Sequence, residues 1–498
     1  MKIFHFSDIH AGSKKHFREE NLLHIIDEIN SGNFDFAIFT GDATNEGQRH
    51  EYEIASRMLD KIDVPLVSIP GNHDARSGGI KLFEEYIGQQ NGVFEFGDAV
   101  VIYVNSAIGD SNDGRVGRVK FNMLKKALNE HSDKAIKILA IHHHILPIPM
   151  SGRERNVLAN AGDLLDLIQK SDVDLVVSGH RHYPNVYEVE NTVFINAGTA
   201  SSEKTRYGDV NSYCTIEIDE TTKKVTTKRL NGENTFQEFP RKYKRIFSDF
   251  GEHKFRAVQI SNTYFSDTSS FLSQHYEEAV KSIHSFDPDL LIHCGGIVKE
   301  GIPRNYDYAI EQLNKMNVPM VFTPAARDIN YLGYHLFNRH FGDLDQRYTN
   351  EDILFQGLST TQYDSSVGVV GETERKALLD RLNKAPQEFR SVYLHHNIIP
   401  IPHSREKGLL EDAGDLLREL VDADIDLVLT GTSYHAYATR VGKTVIANVN
   451  SLSSAYQRSR FGNSFNLIDI YEKAIVISEI NSFWGKRRLL GIWERNQA

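Results

Sequence analysis

Five short segments in the first half of the chain carry residue types that bind metal ions. They are Asp8-Ile9-His10, Gly41-Asp42, Gly71-Asn72-His73-Asp74, His142 and Gly179-His180-Arg181-His182. Each segment alone says little, because a lone histidine is more often a satisfied surface or core residue than a ligand. Imidazole, carboxylate and amide oxygen together suit borderline divalent metals such as manganese, iron and zinc. The five segments in this order therefore predict a metal site that needs no cysteine.

The chemistry expected of such a site is hydrolysis of a phosphate ester. Two divalent ions carry a formal charge of four, and Asp8, Asp42 and a bridging hydroxide would remove three of it. The remaining charge, roughly one positive, favours an anionic substrate such as a phosphodiester. Metal binding also lowers the pKa of water from 15.7 to about 7, so a hydroxide nucleophile is available without serine or cysteine.

The elements that must position these residues follow an α/β pattern. Short apolar runs such as AIFTG and ILAIHH alternate with longer amphipathic stretches such as FNMLKKALNEH. The residues Asp8, Asp42, Asn72, His142 and His180 each lie where an apolar run ends. Because sites in open α/β sheets assemble at the carboxyl ends of strands, we expect these side chains to converge.

The chain repeats itself with an offset of about 254 residues. Residues 142–165, HHHILPIPMSGRERNVLANAGDLL, return at 395–417 as HHNIIPIPHSREKGLLEDAGDLL, and VPLVSIPGNHD at 64 returns at 318 as VPMVFTPAARD. We therefore predict two tandem α/β copies. The first, over residues 1–240, is catalytic; a linker covers 241–253, and a degenerate copy covers 254–498. The linker's basic cluster (Arg241, Lys242, Lys244 and Arg245) is interpreted as solvated chain rather than an anion site.

The second copy lacks the metal-binding residues of the first. The repeat places Asn262 at the position of Asp8, Tyr264 at His10, Gly296 at Asp42, Ala326 at Asn72, Arg327 at His73, Thr432 at His180 and Tyr434 at His182. Only His395, which matches His142, remains of the ligand set. At roughly 3 kcal/mol per ligand, these losses abolish the site. We expect a folded, metal-free copy that either completes a pseudo-dimer of the two halves or binds an anionic nucleotide through Arg327 without cutting it.

The first half, over about residues 1–235, resembles the calcineurin-like metallophosphoesterase superfamily, and most closely its class III cyclic-nucleotide phosphodiesterase branch. The run HHHILPIP resembles that branch's HHHPLP element, with Ile145 where the branch often has proline, and the helix start Asn160-Ala161-Gly162-Asp163 follows it. The resemblance implies a four-layer αββα sandwich for each copy. It also implies that Asp8, His10, Asp42 and His182 hold one metal and that Asp42, Asn72, His142 and His180 hold the other, with Asp42 as the bridge.

His73 is expected to be catalytic together with Asn72, as a proton donor to the leaving oxygen and a phosphate contact. Asp74 would orient its second ring nitrogen. The alternative is a structural imidazole near the metals.

The remaining polar residues near these segments are less informative. Because strand neighbours point to opposite faces, His144 should share the face of His142, where it touches substrate or packs, and His143 should be structural. Arg181 could clamp phosphate, but strand alternation would point it away from the ligand histidines, and that interpretation is favoured. His5 is expected in the core. Asn45 and the loop 109–117 are candidates for contacts to the substrate's organic part.

Composition limits the function further. Acidic residues outnumber basic ones by 67 to 56, for a net charge of −11, which opposes binding to nucleic acid. Cys214 and Cys294 are expected to be inert core residues, and the absence of a long apolar run predicts a cytoplasmic protein without a membrane partner.

The leading prediction is hydrolysis of a cyclic nucleotide or similar small phosphodiester with two divalent ions (manganese, iron or zinc). The alternatives are a nuclease, because IFHFSDIHAG also resembles the repair-nuclease branch, a broad phosphomonoesterase, and a non-enzymatic scaffold or nucleotide sensor.

Overall fold

The structure, a computed structural model, divides into two compact units, Met1–Arg245 and Ile246–Ala498. It describes residues 1–13, 15–153, 157–241, 249–363, 365–404 and 408–495. The boundary between the units falls inside the segment predicted as a linker. Three members of the basic cluster, Lys242, Lys244 and Arg245, lie outside the described residues.

The first unit contains two sheets. One has, in spatial order, Asn234–Pro240 (β12), Thr222–Arg229 (β11), Ser212–Ile218 (β10), Lys2–Phe6 (β1), Phe36–Phe39 (β2) and Leu66–Ser68 (β3). The other has, in spatial order, Asn185–Val189 (β8), Thr192–Asn196 (β9), Leu175–Ser178 (β7), Ile136–Ile141 (β6), Ala99–Val104 (β5) and Gly92–Phe96 (β4). The helices of the unit are Glu19–Ser31 (α1), Arg49–Leu59 (α2), Ile80–Tyr86 (α3), Arg118–Glu130 (α4) and Ala161–Lys170 (α5), with a 3₁₀ turn at Arg76–Gly78.

Strand β1 shows how the layers form. Alternate side chains of a strand point to opposite faces, so Ile3 packs between the two sheets with Ile138 and Val177. Phe4 and Phe6 point the other way and pack against apolar residues of α1 and α2. Each apolar face is thereby covered, and the predicted α/β sandwich is confirmed. The predicted helix start after Asn160 is also confirmed, as α5 begins at Ala161.

The parallel strands give the site its location. Strand β1 pairs in parallel with β2, and β2 with β3, so that all three end at the same edge of their sheet. In the other sheet β5, β6, β7 and β9 are likewise parallel neighbours. The loops that follow these strands carry the metal-binding residue types.

The second unit has the same order of strands in each sheet. One sheet contains Met320–Phe322 (β15), Leu290–His293 (β14), His253–Ile260 (β13), Ser464–Tyr471 (β22), Ala474–Asn481 (β23) and Arg487–Glu494 (β24). The other contains Arg347–Thr349 (β16), Ile353–Gly357 (β17), Phe389–Tyr393 (β18), Leu427–Thr430 (β19), Thr444–Asn448 (β21) and Tyr437–Val441 (β20). Its helices are Ser273–Phe286 (α6), Pro303–Leu313 (α7), Ala326–Ile329 (α8), Gly333–His340 (α9), Glu372–Asn383 (α10) and Ala413–Asp422 (α11), with a 3₁₀ turn at Asn314–Met316.

Two further expectations concern single features. Cys214 and Cys294 are both buried and unpaired, and burial raises the pKa of each thiol, to about 11 for Cys214 and about 12 for Cys294. Both are therefore inert at neutral pH. In the described parts of the chain, no helix has the length and apolar character that crossing a bilayer requires.

Candidate metal centre

The metal-binding residue types of the first unit lie directly after the ends of parallel strands. Asp8 and His10 follow β1, Asp42 follows β2, and Asn72 follows β3. In the other sheet His142 follows β6, and His180 and His182 follow β7. The structure therefore brings together all the residues that the sequence singled out as ligands.

Several of these residues have a left-handed backbone. The φ angles are 57° at Asp8, 55° at His10, 56° at Asp42, 73° at His180 and 54° at His182. Positive φ is uncommon outside glycine and costs of order 1–3 kcal/mol per residue. The loops hold each other in this conformation, since the Asp8 N–H donates to Gly41 O and the His10 N–H to Asp42 O, both at 2.9 Å.

The first ligand group consists of Asp8, His10 and His182. The Nε2 atoms of the two imidazoles lie 3.0 Å apart, and Asp8 Oδ1 lies 3.1 Å from His182 Nε2 and 3.8 Å from His10 Nε2. Ligand atoms about 2.1 Å from one ion and at right angles to each other are about 3.0 Å apart. The spacing of this group therefore fits one cation.

The second ligand group consists of Asn72, His142 and His180. Asn72 Oδ1 lies 3.0 Å from His142 Nε2 and 2.8 Å from His180 Nδ1. Asp42 connects the two groups, because its Oδ2 lies 3.5 Å from His142 Nε2 and 3.8 Å from His10 Nε2. One carboxylate oxygen is thus shared by the two sets of ligand atoms.

Backbone carbonyls set the orientation of two imidazoles. His142 Nδ1 donates to Thr40 O, and His182 Nδ1 donates to Lys204 O, both at 2.6 Å. With the proton on Nδ1, the Nε2 lone pair of each ring faces the ligand groups, as a metal ligand requires.

The two carboxylates are ionised in spite of their burial. Burial raises the pKa of Asp8 and of Asp42, but the surrounding imidazoles outweigh it and hold both pKa values well below the usual range. For His142, burial lowers the pKa, and the attraction of Asp42 and Asp8 outweighs it and raises the pKa to about 9. The two ligand groups thus carry ionised carboxylates that attract cations. His142 must release its proton when an ion binds, because only the neutral imidazole is a ligand.

His73 lies beside these groups and lines the cavity above them. Its Nδ1 donates to Asn45 O at 2.7 Å, and its ring centroid lies 4.6 Å from that of His10. Nε2 is therefore the ring nitrogen left for a ligand, a placement that suits a proton donor.

The role predicted for Asp74 was wrong. Its carboxylate does not orient His73; instead it accepts hydrogen bonds from Gly71 N, Ala43 N, Thr44 N and Thr44 Oγ1 at 2.9–3.1 Å. Asp74 thereby ties the loop after β3 to the loop after β2. It positions the backbone that carries Asp42 and Asn72, and it does not contact the cavity.

The alternation expected for residues 142–144 was also wrong, because β6 ends at Ile141 and the three histidines lie in a loop. The rings of His143 and His144 both pack near His180, with centroids 4.5 Å and 5.8 Å from it. His143 is structural as predicted, since its Nδ1 lies 2.8 Å from Ser106 Oγ.

The core position expected for His5 is confirmed, since the residue is buried and its Nε2 lies 3.0 Å from Thr40 Oγ1. Strand alternation does not apply to Arg181, because β7 ends at Ser178. Arg181 Nη2 donates to Ser151 O at 2.7 Å, and the residue lines the same cavity as His180 and His182.

Comparisons with known proteins agree with this geometry. Residues 1–184 match the family model described as calcineurin-like phosphoesterase. The first unit is a calcineurin-like phosphoesterase domain.

Three relatives of this phosphoesterase domain are bacterial. The probable cyclic nucleotide phosphodiesterase of Coxiella burnetii is 27% identical over 204 residues, which are 40% of this chain and 82% of that protein. The probable glycerophosphodiester phosphodiesterase of Arcobacter nitrofigilis is 32% identical over 155 residues, 30% of this chain and 56% of that protein. The 3′,5′-cyclic adenosine monophosphate phosphodiesterase of Escherichia coli K12 is 23% identical over 192 residues, 36% of this chain and 70% of that protein.

Among solved structures, a dimetal phosphatase from Danio rerio is 13% identical, and the match covers 47% of this chain and 98% of that chain with a TM-score of 0.38.

The cavity of the phosphoesterase domain has a volume of about 400 Å³ and includes residues that the sequence did not single out. Asn112 Oδ1 accepts from Asn72 Nδ2 at 3.2 Å and from Arg76 Nη2 at 3.1 Å, and so orients the amide of Asn72. Lys204 and Arg206 line the cavity and are exposed. The only feature of the sequence that pointed to Asn112 was its place in the polar loop 109–117. No feature of the sequence pointed to Lys204 or Arg206.

The second unit does not repeat the ligand groups of the phosphoesterase domain. Within its described residues, no set of three or more histidine, cysteine or acidic side chains converges as metal ligands would. A Cβ added to Gly296, at the position of Asp42, would lie 2.5 Å from Asn262 Oδ1. The bridging carboxylate thus could not be restored without a shift of its neighbours. Asp328 nevertheless keeps the loop contacts of Asp74, accepting from Gly296 N, Val298 N and Ala325 N at 2.7–2.9 Å.

Proposed function

We propose that the first unit is a metal-dependent phosphodiesterase that hydrolyses a cyclic nucleotide or a similar small phosphodiester. The observation that carries the proposal is the position of Asp42, whose Oδ2 lies between His10 Nε2 and His142 Nε2 at 3.8 Å and 3.5 Å. A buried carboxylate shared by two sets of ligand atoms suits a pair of divalent ions.

The residues of the chain divide into two ligand sets. Asp8, His10 and His182 would hold one ion, and Asn72, His142 and His180 the other, with Asp42 common to both. When bound, divalent ions supply Lewis acidity to the phosphoryl oxygens and lower the pKa of a water nucleophile. We propose manganese, iron or zinc as the ions, since all three suit imidazole, carboxylate and amide oxygen as ligands.

His73 is the residue placed to assist the leaving group. Its Nδ1 is held by Asn45 O, so the imidazolium form can donate the Nε2 proton to the oxygen that leaves phosphorus. Because the hydrogen bond fixes the ring, this donor does not need to reorient during the reaction. The exposed side chains of Lys204 and Arg206 add positive charge at the rim of the cavity and favour entry of an anion.

The size and charge of the molecule favour a small substrate. The cavity of about 400 Å³ lies within the range of small-molecule sites. The chain's net charge of −11 opposes long polyanions, which argues against a nuclease. The Coxiella and Escherichia relatives are named as cyclic nucleotide and cyclic adenosine monophosphate phosphodiesterases, which supports cyclic mononucleotides as the first substrates to test.

A glycerophosphodiester is the second candidate substrate. The Arcobacter relative, named for that activity, is 32% identical to this chain over its matched residues. Both candidates are phosphodiesters and require the same ligand set, so they differ only in the organic groups that the cavity accepts.

A substrate panel tests the proposal. The purified chain, supplied with manganese, is assayed on cyclic mononucleotides, a glycerophosphodiester, bis-p-nitrophenyl phosphate, p-nitrophenyl phosphate and single-stranded DNA. We expect turnover of the diesters, little turnover of the monoester and none of DNA. Faster hydrolysis of p-nitrophenyl phosphate than of every diester would contradict the proposal.

Two variants accompany the panel. Asp42→Asn should abolish most diester hydrolysis, because an amide removes one negative charge from both ligand sets. Asp133→Asn is the matched control, because Asp133 is exposed and belongs neither to the ligand groups nor to the described lining of the cavity.

A further inference from the structure

The second unit contains a cavity of about 600 Å³. Its walls include Tyr264, Arg327, His395, Thr432, Tyr434 and Arg458. Tyr264, Thr432 and Tyr434 stand where the repeat places the histidine ligands of the first unit. The residues that would bind cations have thus been replaced, but the space they surround has been kept.

Two guanidinium groups line this cavity without an acidic partner. The guanidinium carbon of Arg327 lies 5.5 Å from the centre of the Tyr264 ring, and that of Arg458 lies 5.9 Å from the centre of the Tyr434 ring. Among the described residues neither arginine has an ion pair or a hydrogen bond, and no carboxylate is among the cavity's described lining residues. Arg375 of the same unit shows the contrast, since it pairs with three carboxylates.

The two tyrosines supply a further donor. Their hydroxyl oxygens lie 2.8 Å apart, so one O–H donates to the other and the second proton is left for a ligand. Burial raises the pKa of Tyr264 well above its ordinary value, so this phenol stays protonated.

His395 faces the same cavity with an acceptor. The residue is only 8% exposed, and its Nδ1 donates to Cys294 O at 2.7 Å. Burial lowers its pKa to about 4, so the ring is neutral at pH 7 and Nε2 carries a lone pair. Within the described residues Nε2 has no hydrogen-bond partner, and the residue lines the cavity. A ligand that occupies the cavity would therefore bring a hydroxyl as well as an anionic group.

We propose that this cavity binds a phosphate monoester that carries a free hydroxyl, such as a nucleoside monophosphate, and does not hydrolyse it. Two guanidinium groups match the charge of a phosphoryl dianion and provide forked donors for its oxygens. His395 Nε2 accepts from a hydroxyl of the ligand. Hydrolysis is not expected, because no carboxylate is among the described lining residues and no group of metal-binding side chains converges in the described part of this unit. The proposal does not depend on the reaction of the first unit.

Adenosine monophosphate is the probe for a binding test on the whole 498-residue chain. Equilibrium dialysis is done with manganese and again with an excess of chelator, which removes binding that depends on ions of the first unit. We expect saturable binding of one equivalent in chelator, competition by inorganic phosphate and no competition by adenosine.

Arginine variants identify the site. Arg327→Ala and Arg458→Ala should each weaken the chelator-resistant binding by roughly tenfold, which is the scale of a charge-assisted hydrogen bond. Arg460→Ala is the matched control, because Arg460 is exposed in the same segment but does not line the cavity, and it should bind normally. Absence of chelator-resistant binding, or unchanged affinity in the double Arg327→Ala/Arg458→Ala variant, would overturn the proposal. Circular dichroism of each variant checks that the fold is intact.

Discussion

Replacing Asn112 by alanine tests whether a residue outside the ligand set controls how tightly that set binds an ion. Asn112 Oδ1 accepts from Asn72 Nδ2 at 3.2 Å, and this bond turns Asn72 Oδ1 toward His142 and His180. One such hydrogen bond is worth about 1 kcal/mol, and losing the charged donor of Arg76 from the same oxygen adds to the effect. We therefore expect Asn112→Ala to weaken binding of the ion held by Asn72 by roughly tenfold, at the lower end of the range for residues that orient ligands.

The assay is the manganese dependence of bis-p-nitrophenyl phosphate hydrolysis. The midpoint should move to roughly tenfold higher manganese, with the rate at saturation largely restored. Asn129→Ala, on the exposed face of α4, is the control and should show the wild-type midpoint. In the Asn72→Ala background the Asn112 change should have no further effect. An equal tenfold loss in that background would refute the reasoning, because Asn112 would then act without Asn72.

Two other predictions concern stability. Asp74→Asn and Asp328→Asn should each lower the free energy of unfolding by roughly 2 kcal/mol, since an amide N–H₂ in place of one carboxylate oxygen leaves buried backbone N–H groups without an acceptor. Only Asp74→Asn should also lower diester hydrolysis. Thermal unfolding and activity assays of both variants check this. Burial lowers the pKa of His293 to about 3, below the unfolded value near 6.5, so its contribution to stability is complete above pH 6.5 and is lost as the pH falls. At pH 5 the free energy of unfolding should be about 2 kcal/mol lower than above pH 6.5 because of His293. His293→Phe introduces the residue found at the matching position of the first unit, and it should reduce the fall of the urea midpoint between pH 8 and pH 5. An unchanged fall would refute this.

The ligand set could be predicted from sequence because of where its members stand. Asp8, Asp42 and Asn72 follow apolar runs of a parallel sheet, and such runs end at a common edge. The backbone conformation at these positions could not be predicted. The positive φ angles of Asp8 and Asp42 depend on hydrogen bonds between loops that are distant in sequence, and neither residue type requires them.

The residues that support the ligands were harder to predict than the ligands. Adjacency in sequence suggested that Asp74 orients His73, but the loop turns so that Asp74 points at backbone N–H groups instead. Strand alternation failed for His143 because β6 ends two residues before it, at Ile141. Asn112 reaches Asn72 across 40 positions of sequence, a contact that no local pattern encodes.

A comparison of the second unit with the first distinguishes residues needed for the fold from residues that could bind metal. Asp328 keeps the contacts of Asp74 although the ligands around it are gone, which indicates that this aspartate is needed for the fold of the loop. The positions of the ligands His10 and His182, in contrast, now hold Tyr264 and Tyr434. The hydroxyl oxygens of the two tyrosines lie 2.8 Å apart, and the Nε2 atoms of the two histidines lie 3.0 Å apart. The backbone at Tyr264 still has a positive φ of 51°.

Metal content per chain, measured by elemental analysis after dialysis against trace metal-free buffer, shows whether Asp42 joins two ion sites. We expect two divalent ions per wild-type chain, two in His395→Ala, and fewer than one in Asp42→Asn, since that carboxylate serves both ligand sets. A single ion in the wild type, or two ions retained by Asp42→Asn, would contradict this.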